Sequence, residues 1–77
     1  MPTAYILLCC DLGSEIEVLK SIKQIAEVDE VDRVFGVYDV IVKLSSDNMD
    51  KLKEVITMKI RKIDKVRSVL TIIKSET

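Results

Sequence analysis

Apolar and polar positions alternate in two rhythms along the chain. Thr3 to Cys10 is an unbroken β-prone run closed by Asp11-Leu12-Gly13, too short for an ordinary helix, and it predicts a strand buried on both faces. Ser14 and Glu17 have capping-box spacing, and Ile16, Leu19, Ile22, Ile25 and Ala26 recur at helical intervals, which predicts a first helix over 14–26. Val31, Arg33 and Phe35 then alternate with Asp32 and Val34. After the turn Gly36-Val37-Tyr38-Asp39, Val40, Val42 and Leu44 alternate with Ile41 and Lys43, so two strands flank that turn. Asp47 is placed to cap a second helix with the narrow apolar stripe Met49, Leu52, Ile56, Ile60 and Ile63, leaving Lys51, Lys53, Glu54, Arg61 and Lys62 to water. Residues 66–74 make a fourth strand, with Val69, Thr71 and Ile73 on one side and Leu70 and Ile72 on the other.

The predicted order is β-α-β-β-α-β, and the chain repeats itself: Ile25 to Val34 matches Ile60 to Val69 at an offset of 35 residues. Two right-handed β-α-β units interleave most simply as an α+β, ferredoxin-like sandwich, a four-stranded antiparallel sheet with both helices on one face. In such a sandwich the uncovered sheet face of a monomer is normally polar. Here the first strand is apolar on both sides and Leu70, Ile72 and Ile41 oppose apolar neighbours, which predicts association of copies sheet face to sheet face, in the manner of a dimeric α/β barrel.

Composition supports a single small globule. Of 77 residues, 48% are hydrophobic and 32% charged, neither disordered nor membrane-spanning in character. A chain of this length buries only about 60% of its unfolded surface and gains margin from a disulfide, a metal or association. Neighbouring Cys9 and Cys10 point to opposite sides of a strand and cannot easily pair, and no secretory leader precedes them, so a reduced cytoplasmic setting is expected. The apolar run from Ala4 is far too short to cross a bilayer. Net charge is −1, yet residues 1–40 hold three basic and eight acidic side chains and residues 41–77 nine and five. That split suits solvated surface or complementary contacts between copies as well as a nucleic-acid face.

Most site chemistries are excluded by what is missing. There is no histidine, the commonest general acid/base and metal ligand. Adjacent cysteines lack Cys-x-x-Cys spacing, and the two glycines, Gly13 and Gly36, lie too far apart for a phosphate loop. Arg33 lacks the partner asparagine of an acylphosphatase-type anion loop, because Asn48 stands at a helix start. Tyr5 and Phe35 are the only candidates for an RNA-stacking platform, and core packing accounts for them more simply. No enzyme activity, metal or cofactor is expected. What remains is the turn around Gly36-Val37-Tyr38-Asp39. Its residues suit a hairpin end on structural grounds alone. Equally, its amides and the Asp39 carboxylate can frame a small polar pocket for a zwitterion, amides toward a carboxylate and Asp39 toward an ammonium.

The element order, the Gly36-Val37-Tyr38-Asp39 turn running into Val40-Ile41-Val42-Lys43, the helix from Leu52 to Ile63 and the last strand with Val66 and Thr71 resemble the effector domain of Lrp/AsnC transcription regulators, the RAM ("regulation of amino acid metabolism") domain, over essentially the whole chain. Those regulators carry an N-terminal helix-turn-helix, for which there is no room before Thr3, so the chain resembles a stand-alone RAM protein, one domain over 1–77. The resemblance implies a homodimer joined through its sheets, further assembly into octamers or other rings, and amino-acid effectors bound between dimers. Gly36, Val37 and Tyr38 would frame that pocket, Asp39 would face the ammonium, and Thr71 would supply a hydroxyl. Val69 stands where many members carry a second Thr or Ser. A further implied partner is a full-length Lrp/AsnC regulator, modulated by co-assembly; direct DNA or membrane binding is not expected. Two alternatives stay open: a purely structural interaction module, and an ACT-type amino-acid sensor, for which Asp11-Leu12-Gly13 is a thin match.

Overall fold

The computed structural model describes residues 1–74. Its elements run β1 (Thr3–Cys10), α1 (Glu15–Lys23), β2 (Val28–Arg33), β3 (Val40–Ser45), α2 (Met49–Val55) continuing into a π-helical turn over Ile56–Ile60, and β4 (Val66–Lys74). The strands form one antiparallel sheet in the order β2-β3-β1-β4, so the two central strands are β1 and β3 and the free edges are β2 and β4. This is the ferredoxin-like sandwich that the sequence pattern predicts.

Strict alternation builds the core. Ala4, Ile6, Leu8 and Cys10 on β1 and Val40, Val42 and Leu44 on β3 are buried, and they meet Val18 and Ile22 of α1 and Leu52, Val55, Ile56 and Ile60 of α2 and its π turn. Val69 and Ile73 of β4 pack against the edge of this cluster. Burying a Leu or Ile side chain contributes about 1.5–3 kcal/mol relative to exposure, so this one cluster dominates the stability of the protomer.

Three boundaries differ from the sequence expectation. The first helix ends at Lys23, and β2 begins at Val28, three residues before Val31, and stops at Arg33. A bulge between Val28 and Glu30 accounts for the early start of β2: it inserts Asp29, so Val28 and Val31 are both half-buried although an even alternation would put them on opposite faces. Ser14 does not close a capping box; its hydroxyl donates to the Asp11 carbonyl at 2.5 Å. The second helix is capped by Asn48 and not by Asp47, with the Lys51 amide donating to Asn48 Oδ1 at 2.8 Å.

The sheet face away from the helices carries two cross-strand rows. Asp32, Ile41, Leu7 and Leu70 form one, and Glu30, Lys43, Tyr5 and Ile72 the next. Leu70 is 42% and Ile72 50% exposed, while Tyr5, Leu7, Cys9 and Ile41 are half-buried. Leu7, Ile41 and the β4 side are therefore apolar, Lys43 interrupts the second row on β3, and acidic residues stand at the β2 margin. Among the described residues no helix is long and apolar enough to cross a membrane.

Candidate functional site

The β2–β3 connection, residues 34–39, is tied to the end of β1 by its last residue. Asp39 donates its amide to the Leu8 carbonyl at 2.9 Å and accepts the Val34 amide on its own carbonyl at 2.9 Å. Its Oδ2 accepts the Cys10 amide at 3.0 Å, with Cys10 Sγ 3.9 Å away. On the other face of β1, Cys9 Sγ donates to the Val37 carbonyl at 3.2 Å. Adjacent cysteines on a strand point to opposite faces, and here both clasp the same hairpin. Burial, followed by the nearby Asp39 carboxylate, pushes the Cys10 thiol up, against a lowering hydrogen bond from Ser14, so it stays protonated near neutrality.

Beyond that clasp the hairpin is open. Gly36 has φ +146, a left-handed-side conformation that glycine adopts freely, and a Cβ there would meet nothing within 4 Å. The amides of Gly36, Val37 and Tyr38 donate no hydrogen bond among the described residues, and Asp39 Oδ1 accepts none. Val37 is 85% exposed, whereas Tyr38 and Asp39 are half-buried. The arrangement holds successive free donors beside a carboxylate, the charge pattern that complements a zwitterion.

Four of the five residues singled out from sequence, Gly36, Val37, Tyr38 and Asp39, thus share one short segment. Thr71 does not join them within a protomer. It pairs with Ile6, two strands from β3 and three register positions from Asp39, and it faces the helix layer with Val69 and Ile73. Its Oγ1 is buried with no partner. Phe35 corrects the expectation of core packing: β2 ends at Arg33, so the ring is carried out on the hairpin, 87% exposed, with the Arg33 guanidinium 5.2 Å from its centroid. Tyr5 lies half-buried on the uncovered sheet face. The clasp by Cys9 and Cys10 escaped the sequence reading, because only the folded register places them against residues 28 and 29 positions away. Among the described residues no cluster of three or more His, Cys, Asp or Glu is placed to hold a metal.

The fold has close counterparts. The chain matches FFRP-DM1 with 39% identity and a TM-score of 0.93, covering 97% of this chain and 100% of that one. It matches the hypothetical protein PHS023 from Pyrococcus horikoshii with 38% identity and a TM-score of 0.93, covering 100% and 93%. AsnC of E. coli shares the fold at 23% identity and a TM-score of 0.89, and this chain, 99% covered, spans 52% of its length. Among curated proteins none matches. The family model described as the Lrp/AsnC ligand binding domain matches residues 3–77, and the chain belongs to that family.

Proposed function

We propose that this chain is a non-enzymatic, cytoplasmic effector-binding and oligomerisation domain that takes a small amino acid or related metabolite at the 36–39 hairpin, in sites completed where copies meet. The carrying observation is the row of unpaired amides at Gly36, Val37 and Tyr38 beside the anchored Asp39 carboxylate. In the protomer this half-site has no lid, and the apolar sheet face supplies the reason for copies to associate. Thr71, whose hydroxyl is buried toward the helix layer of its own protomer, lies apart from this half-site. Family membership supports a regulatory role: an effector with unequal affinity for alternative assemblies shifts their populations, and co-assembly with a full-length Lrp/AsnC regulator transmits the shift.

Calorimetry of the chain against the common amino acids tests this reading. The expected result is saturable binding of at least one of them, weakened about ten-fold or more by Asp39→Asn, which keeps an oxygen for the Cys10 amide but removes the charge facing the ammonium. No heat with any amino acid, from a folded and associated protein, would leave only a structural module.

A further inference from the structure

A second feature lies at the opposite edge of the sheet, on the helix side. Between Cys9 and Cys10 the pairing with β4 slips: Cys10 opposes Val66 but Cys9 opposes Ser68, so Arg67 is the extra residue of a bulge. That residue resets the alternation. Val66 and Val69, three positions apart, are both half-buried and packed against the core, while Arg67 is re-aimed outward. Immediately before the bulge Lys65 holds φ +73, a left-handed conformation that costs a lysine on the order of 1 kcal/mol, and its carbonyl accepts the Asp11 amide at 2.8 Å.

The bulge borders a hollow. Arg61, at the end of the π turn, and Arg67, on the bulge, line it together with Val66 and Val69. Arg61 has no ion-pair partner among the described residues, and Arg67 meets Asp11 only through Nε, at 3.7 Å. Lys62 and Lys65 lie in the same stretch, where four cations face a single acid, Asp64, within residues 61–67. Lys65 is paired with Glu17 at 3.2 Å. We propose that the Arg61–Arg67 hollow is a binding site for a phosphate group carried by a small molecule. Two guanidinium forks on one concavity match a tetrahedral dianion, which offers oxygens to both, whereas a monocarboxylate satisfies one. A polyanion is disfavoured by the net charge of −1 and by Asp11 beside the mouth. Val66 and Val69, which line the hollow, pack toward the helix layer and not onto the uncovered sheet face.

The test is titration of the 15N-labelled chain with inorganic phosphate and with glycerol 3-phosphate, alongside sodium chloride at matched ionic strength. Saturable shifts centred on the Val66, Arg67 and Val69 amides are expected with both phosphates and not with chloride. Arg61→Gln, which removes no intrachain ion pair, should weaken the response about ten-fold, with Arg67→Gln as the second variant and the remaining spectrum confirming the fold. Shifts that chloride reproduces, or shifts centred elsewhere, would overturn the proposal.

Discussion

Asp39 serves two demands with one carboxylate: Oδ2 holds the Cys10 amide at 3.0 Å while Oδ1 remains free. Asp39→Ala strips the amide of its acceptor and should destabilise the chain by about 1–3 kcal/mol in urea denaturation, whereas Asp39→Asn should retain most of that stability. The contrast separates the structural from the proposed binding role of one side chain. Cys10 makes a second residue-scale expectation: buried, with its thiol pushed up chiefly by burial, it should resist iodoacetamide near neutral pH until the chain unfolds. Rapid alkylation of Cys10 in the folded protein would contradict the clasp. Sequence alone showed that the two cysteines face opposite ways, because a strand permits nothing else. That both sides of the strand are used to hold one hairpin depends on register, which no local pattern encodes.

Elements were legible where apolar spacing repeated over several turns or strand pairs, and illegible where a single residue broke the rhythm. The bounds of β1 and β4 follow from parity, and Leu52, Ile56 and Ile60 of the α2 stripe follow from helical spacing, whereas Val55 is buried outside that stripe and Ile63 lies past the helical turns; Asp29, inserted by a bulge, lets β2 pair from Val28, and Phe35 lies beyond the strand end at Arg33. Capping shows the same limit: Asp47 and Asn48 are both competent N-caps, and only the extended backbone at Asn48, with ψ 163, decides between them. Asn48→Ala should therefore cost about 1 kcal/mol, and Asp47→Ala much less, in thermal or urea melts. A pH effect belongs to the same scale. Glu27, ahead of β2, is lowered from the ordinary carboxylate range first by its own backbone amide and then by Lys59, whose Nζ lies 3.4 Å away across to the π turn, against a raising contribution from burial. A depressed folded-state pKa stabilises above the unfolded value and is lost as pH falls through the folded one. Stability should thus decline on acidification below the ordinary glutamate range, and Glu27→Gln should flatten that limb; an unchanged acid limb would remove Glu27 from the account.

For the whole molecule, the two faces of the sheet make opposite predictions. Ile6 is fully buried at the centre of the core, so Ile6→Ala should destabilise by about 2–5 kcal/mol and leave a protein of this size close to unfolding. Leu70, on the uncovered face, touches no helix layer, and Leu70→Ser should leave the protomer folded while weakening association. The sandwich was readable from the two halves of the chain because each repeats the same β-α-β pattern, and the surplus of apolar residues on β1 and β4 was readable for the same reason. The proposed half-site was readable only as a segment: Gly36 to Asp39 adjoin in sequence, while the placement of Thr71 toward the helices, away from the hairpin, emerges from the assembled register.

Sedimentation equilibrium of the intact chain across a dilution series tests association most directly, with Leu70→Ser as the comparison. The expected result is a dimer or larger multiple of the 8.7 kDa chain that dissociates only on dilution, and at higher concentration for the variant. A well-folded monomer that persists at high concentration, unchanged by the substitution, would contradict the account.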